Sequence, residues 1–307
     1  MTNPPGAAAR ATTRGIWLSL VVVGAWSVLP ITLRLASRRL DPYTLTWYRF
    51  FLAALVLGGM LAARRNLPGL AQLRRLRPAT LLVAATLGLA SNYVLYLVSL
   101  DYVSPTVGTV ITQLGPLLLM GGGVWIFGER LSRRQVIGVV LLIVGLLLFF
   151  NRRLVELGDM SGRAGVGTLI LLAASVTWAM YGLAQKSLLD HFESTQILLL
   201  IYVGSAVALL AMSAPAAVIR LPALDLVMLA LCAANTLVAY GALAEALKCA
   251  GAATVGAVLA IGPVATLLVT WATNKVSPNF FAPDLLNAAT IAGACVVTVG
   301  SALSARK

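Results

Sequence analysis

The sequence predicts an all-α, polytopic membrane protein of ten transmembrane helices built as two inverted five-helix repeats. Three observations carry that expectation: the composition, the spacing of the charges, and the likeness of the second half to the first. Of 307 residues, 60% are hydrophobic and only 11% are charged, and the mean hydropathy is +0.92. Soluble domains carry about 25% charged residues, so this chain is too poor in charge to cover a water-facing surface. The same composition excludes disorder, collagen and coiled coil.

Splitting the chain at every Lys, Arg, Asp and Glu leaves ten long uncharged stretches: 15–33, 50–63, 79–100, 102–128, 135–151, 164–185, 194–219, 226–244, 249–274 and 285–305. Most match the roughly 20 residues a helix needs to cross the hydrocarbon layer. The shortest becomes 42–63 when Arg49 is admitted into the span. None shows the alternation of a barrel strand, and in lipid only a helix otherwise satisfies its own backbone. The stretch 15–33 follows Arg10 and Arg14 as a signal sequence would. Its apolar run is too long for one, and no small-x-small cleavage site follows promptly, so it reads as a retained first helix.

The charges also orient the helices. The chain carries 23 Lys+Arg against 10 Asp+Glu, a formal +13, which in a soluble protein would raise the question of a nucleic-acid partner. With the N-terminus inside, the larger share of basic residues falls on the cytoplasmic side, most densely at Arg64, Arg65, Arg74, Arg75 and Arg77, as the positive-inside rule requires. Both termini are therefore expected in the cytoplasm, and no nucleic-acid partner is expected; the bilayer accounts for the charge. Cys232, Cys249 and Cys295 have neither metal nor disulfide spacing and read as small buried apolar residues.

The second half repeats the first. Trp178 aligns with Trp26, Lys186 with Arg34, Tyr240 with Tyr93, Gly262-Pro263 with Gly115-Pro116, and Gly293 and Gly300 with Gly138 and Gly145. The unit holds five helices. An odd number makes the second copy enter the membrane from the opposite face, the inverted arrangement of alternating-access carriers with a site at the repeat interface. The chain then divides into a cytoplasmic tail (1–14), a first repeat (15–151), a linker (152–164) and a second repeat (165–305). Such a duplication makes a monomer sufficient.

Candidate substrate-binding residues are the polar and aromatic groups at mid-helix: Trp26, Asn92, Tyr93, Tyr96, Thr109, Gln113, Trp178, Tyr181 and Tyr240. A buried indole needs a partner for its N–H, so Trp26 and Trp178 mark a polar neighbourhood, whereas Trp17, Trp47, Trp125 and Trp271 lie near helix ends and fit an interfacial belt. The lining is uncharged and rich in aromatic faces, which suits a small zwitterionic or aromatic solute. Polar side chains that merely join helices are the competing explanation. Pro30, Pro116 and Pro263 fall near the centres of helices 1, 4 and 9, where each removes a backbone hydrogen bond and kinks the helix. With Gly115 and Gly262 they are the candidate hinges.

Deep charge is sparse. Glu245 is the deepest carboxylate, with Lys248 as its expected partner one turn on, and Arg49 is expected to have a structural role. With no titratable group near the site, facilitated diffusion is the economical mechanism and proton coupling the alternative. Nucleotide loops are absent, since Gly165-Val166-Gly167 lacks the third glycine and a preceding strand. The single histidine, His191, falls in a loop, so no hydrolytic constellation is visible. No enzyme activity, cofactor or metal is expected.

Several of these residues also carry a resemblance. Trp26, Pro42 with Tyr48-Arg49-Phe50, Ser104-Pro105, Gly115-Pro116, and Phe127-Gly128-Glu129-Arg130-Leu131 followed by Gly138 and Gly145 resemble the drug/metabolite transporter superfamily, in its ten-helix form with two EamA-type repeats. The second repeat keeps Trp178, Gly262-Pro263, Gly293 and Gly300, but has Ile201 where Arg49 would fall and Asn274-Lys275-Val276 where the Gly-Glu pair would fall. Within the superfamily the chain is most similar to YddG-type bacterial amino-acid exporters. The resemblance implies a transporter in the bacterial cytoplasmic (inner) membrane that exports neutral amino acids, aromatic ones included. Export of another small metabolite or drug is the alternative. The small multidrug relatives use a glutamate in helix 1, which this chain lacks.

Overall fold

Long runs of Leu, Val, Ala and Ile with few charges have one economical backbone state in an apolar medium, the α-helix, in which every interior N–H meets a carbonyl of its own segment. The computed structural model describes residues 5–69, 75–99, 101–102, 111–149, 151, 162–278 and 287–305, and among these the secondary structure is entirely helical. The order is α1 (Pro5–Ala36), α2 (Pro42–Ala63), α3 (Leu76–Ser99), α4 (Leu114–Phe127), α5 (Arg133–Phe149), α6 (Gly162–Leu188), α7 (Ser194–Leu210), a 3₁₀ turn (Pro215–Arg220), α8 (Ala223–Cys249), α9 (Ala252–Leu259), α10 (Gly262–Val276) and α11 (Ala288–Ala305). Among the described residues six stretches are long and apolar enough to cross a membrane, with α9 and α10 counted as one.

Several helices begin earlier than the charge pattern predicts, two of them inside segments expected as tail or linker. α1 starts at Pro5, inside the stretch 1–14 expected as a tail. Pro5 suits the first helical position, and the alanines that follow have the highest helix propensity. α6 starts at Gly162, inside the predicted linker 152–164. The starts of α2 and α7 follow ordinary capping. Asp41 accepts hydrogen bonds from the Tyr43 and Thr44 amides at 3.0 Å ahead of Pro42, and Glu193 forms a capping box with Gln196.

Two of the three prolines stand at helix breaks rather than at the kinks expected of them. α1 runs unbroken through Pro30. The other two stand at breaks: Ile111 and Thr112 are helical, Gln113 is a turn, and Pro116 is the third residue of α4. In the second half the helix stops at Ala260-Ile261, and Pro263 is the second residue of α10. A proline in a first turn has no intrahelical hydrogen bond to forfeit, so the chain interrupts the helix rather than bending it.

Five antiparallel helix pairs dominate the packing: α1 with α8, α2 with α7, α3 with α6, α4 with α9, and α5 with α11. Contacts between opposite helix ends set the directions. Arg14 and Arg39 reach Glu245 and Asp225 at 3.8 and 3.0 Å along α1 and α8. The Ala214 amide donates to Thr44 Oγ1 at 2.9 Å and Asn66 Nδ2 to Glu193 at 2.8 Å along α2 and α7. Gln135 Nε2 donates to the Ser304 carbonyl at 3.2 Å, and Asn151 meets Asn287, along α5 and α11. Arg14 is therefore the salt-bridge partner of Glu245, in place of the predicted Lys248; a helix crossing brings the guanidinium closer than the next turn brings the amine.

Close approach needs small residues at the crossings. A Cβ on Gly293 would lie 2.3 Å from the Phe149 amide nitrogen, and one on Gly300 2.6 Å from that of Leu142. Gly138 and Gly145 are equally pressed, at 2.5 Å from Ser304 Oγ and 2.6 Å from the Val297 nitrogen. Outside the bundle Leu, Val and Ile side chains stand exposed on most helices, the surface a lipid-facing protein presents. Trp17, Trp125 and Trp271 belong to it, but Trp47 does not: it is only 9% exposed and stacks on Phe51 with centroids 4.7 Å apart. The cysteines also divide, since Cys232 is buried, Cys249 half-buried and Cys295 exposed.

Candidate functional site

Between α1, α2, α3, α4, α6, α8, α9 and α10 lies a cavity of about 200 Å³. It brings together most of the predicted site residues: Trp26, Asn92, Tyr93, Tyr96, Gln113, Trp178 and Tyr240 line it, as do the candidate hinge residues Pro30, Pro116 and Gly262. Tyr181 does not line it. That ring is fully buried behind Tyr240 at a centroid distance of 5.5 Å, because its helical position turns it from the cavity toward the α8 interface. Thr109 lies outside the described residues. Gly115 supports the wall: a Cβ there would come within 3.0 Å of the Trp178 ring. Pro263 is buried beside it at the start of α10.

The aromatic residues form one connected series. Trp178 meets Trp26 edge-on at 5.7 Å, Trp26 meets Tyr240 at 5.6 Å, and Tyr240 meets Tyr93 at 5.7 Å. Such tilted and edge-on contacts are the favoured geometry for ring quadrupoles. The series starts on α6, crosses α1 and α8, and ends on α3, so both halves of the chain supply it. Polar groups hold its frame. Asn92 Nδ2 donates to the Ala174 carbonyl at 2.8 Å, and Asn235 Nδ2 to the Ala25 carbonyl at 2.6 Å. Ser175 Oγ lies 3.1 Å from the Ile111 carbonyl, just ahead of the break at Gln113.

Arg49 is the functional candidate the sequence reading passed over. It lines the cavity although the residue is only 3% exposed. Its Nε donates to Thr236 Oγ1 at 3.0 Å, and its guanidinium carbon sits 4.2 Å from the Tyr93 ring centre. Tyr93 also donates to Thr236 Oγ1 at 3.4 Å, which in turn donates to the Cys232 carbonyl at 2.9 Å. The signal was present: Arg49 is the charge that interrupts an otherwise apolar span, and an intramembrane ion is a functional residue by default.

A second polar cluster closes the end of the bundle that holds the start of α1. Gly128 turns the chain out of α4 in the left-handed conformation, φ +63°. Glu129 then accepts hydrogen bonds from the first two amides of α9, Ala252 and Ala253, each at 2.9 Å, and from Lys186 at the end of α6. Burial alone would raise the Glu129 carboxyl, but Lys186 and the two amides outweigh it and hold the pKa below the ordinary value. Gly123 and Gly251 leave room for this carboxylate, since a Cβ on either would come within 2.9 Å of it. One side chain thus ties α4, α6 and α9.

A helical membrane bundle with an internal aromatic chamber, lined from both halves of the chain, is the form of a solute carrier. The profile of the EamA-like transporter family matches twice, over residues 13–151 and 165–303. The chain belongs to that family, one of transporters rather than enzymes. It is 38% identical over 291 residues to the "Uncharacterized inner membrane transporter YhbE" of Escherichia coli (strain K12), covering 95% of this chain and 91% of that protein. A "Probable amino-acid metabolite efflux pump" of Salmonella typhimurium is 23% identical over 199 residues, 63% of this chain and 60% of its own. A crystal structure at 18% identity matches with TM-score 0.70, covering 95% of this chain and 96% of that one, and so shares the fold.

Proposed function

We propose that the protein is an inner-membrane exporter of neutral amino acids, aromatic ones included, working by alternating access around the aromatic cavity. The observation that carries this reading is the connected series Trp178–Trp26–Tyr240–Tyr93 along a chamber of amino-acid size. Trp26, Asn92, Tyr93, Tyr96, Gln113, Trp178 and Tyr240 are the proposed substrate contacts. The Salmonella relative, named a probable amino-acid metabolite efflux pump, points the same way, and the Escherichia coli inner membrane transporter supports the inner membrane.

Ten spans in two inverted repeats are part of the same proposal, and the helix pairing supports them. Exchanging the first five spans with the last five, α9 and α10 counted as one, leaves the five helix pairings unchanged: α2–α7, α4–α9 and α5–α11 map onto themselves, and α1–α8 maps onto α3–α6. That is the behaviour of a pseudo-two-fold axis. The breaks at Gln113 and Ala260-Ile261 correspond under the same exchange, which makes Gly115-Pro116 and Gly262-Pro263 the proposed hinges. The bias of basic residues places both termini in the cytoplasm.

No carboxylate among the described residues lines the cavity, which favours facilitated diffusion over proton coupling and disfavours a cationic drug. Counterflow in proteoliposomes tests the reading. Labelled phenylalanine, tryptophan, threonine or methionine should exchange, at a rate independent of an imposed pH gradient. Absence of exchange with all four defeats the amino-acid reading, and a strong gradient dependence defeats the uncoupled mechanism.

A further inference from the structure

We infer that Arg49 is the anion anchor of the cavity, so that the transported solute carries a carboxylate and its amine is dispensable. The inference rests on the reading of the cavity as the substrate site and deepens it. Arg49 lies seven residues into α2, about 10 Å along the axis at 1.5 Å per residue. There it is nearly inaccessible yet lines the chamber. A buried cation is ordinarily paired with an acid, because its desolvation is otherwise uncompensated. Arg49 forms no salt bridge with a described carboxylate. Its partners are neutral: the Thr236 hydroxyl at 3.0 Å and the face of Tyr93 at 4.2 Å.

Those contacts engage Nε and one face of the guanidinium. No described residue hydrogen-bonds the terminal Nη groups, and those are the donors that grip a carboxylate in the two-point geometry of arginine. The orientation is held in advance, since Thr236 is itself fixed by its bond to the Cys232 carbonyl. A carboxylate seated there faces the tyrosine end of the aromatic series, leaving Trp26 and Trp178 to the side chain of the solute. An ammonium group in the same chamber meets aromatic faces and neutral amides but no acid among the described residues. The carboxylate therefore decides binding.

Ligand-induced thermal shift and tryptophan-fluorescence titration of the purified full chain in detergent test this. The probes are L-phenylalanine, its carboxylate-free forms L-phenylalaninamide and 2-phenylethylamine, and its amine-free form 3-phenylpropanoate, with leucine and 4-methylpentanoate as an aliphatic pair. Expected is at least a tenfold loss of affinity on removing the carboxylate and a smaller loss on removing the amine. Arg49→Gln should level the series, and Arg49→Lys should restore part of the preference. A carboxylate effect below tenfold overturns the anchor, as does an Arg49→Gln protein, folded by its melting profile, that ranks the probes as the native chain does. The native ligand series decides the matter even where Arg49→Gln does not fold. The two readings fail separately: exchange of amino acids and their amides alike removes the anchor and keeps the exporter, whereas carboxylate-dependent binding without amino-acid counterflow keeps the anchor and removes the exporter.

Discussion

The α5–α11 pair and the α2–α7 pair each pack a helix of the first half against one of the second but differ in what their sequences share. Gly138 and Gly145 in α5 are repeated as Gly293 and Gly300 in α11, and all four glycines press on the facing helix. In α2 and α7 the packing is matched but the chemistry is not: Arg49 lines the cavity, whereas the aligned Ile201 is fully buried in the apolar core. Close packing needs small residues on both sides of a crossing, so it tolerates symmetry. A second cation beside the first would add repulsion to desolvation, and among the described residues Arg49 alone is a cation on the chamber wall. The difference separates scaffold from site.

The largest effect should come from forcing the missing symmetry. Ile201→Arg buries a charge with no counter-ion, at a cost of about 3–5 kcal/mol, read as loss of monodisperse protein and a lower unfolding midpoint in detergent. Normal stability would mean that α7 has a polar neighbourhood. Next, Gly293→Val drives a side chain into the α5 backbone 2.3 Å away; overpacking should cost about 1–3 kcal/mol. Gly59→Ala, whose Cβ meets nothing within 4 Å, is the control. Equal melting temperatures for the two variants would dissolve the scaffold half of the comparison.

Smaller effects fall on transport and pH. Pro263→Ala lets the helix continue across the break at Ala260-Ile261, so counterflow should slow several-fold while substrate affinity stays near native; an unchanged rate removes the hinge. The Glu129 tie should be the mildest. Because its pKa is held below the ordinary 4.5, its contribution is complete above that value and vanishes as the pH falls through the depressed one. The native chain should therefore lose more thermal stability between pH 7 and pH 3 than Glu129→Gln does. Parallel losses would show that the cluster is energetically idle.

Much of this architecture was legible in the chain. Charge spacing located the helices, because a charged residue is costly in hydrocarbon, and the Trp26, Asn92 and Trp178 candidates converge on one cavity. The misreadings have a common cause. Trp47 and Tyr181 were judged by depth along a helix, whereas burial depends on which helix face meets a neighbour. The Glu245 partner was sought one turn away, but Arg14 arrives from another helix. Pro116 and Pro263 were read as kinks because the sequence does not show where a helix restarts.

What the sequence alone determines is the solvent of each segment. Composition and the order of charges decide that these segments are apolar helices, since that rests on local transfer energies. Which side chains face one another was decided only by the tertiary structure. Arg49, Tyr93 and Thr236 are separated by up to 187 residues in the chain, and only helix packing brings all three together. A charge in an apolar span announces that it needs a reason; the fold supplies it, in a chamber that the guanidinium lines and where no described residue is an acid.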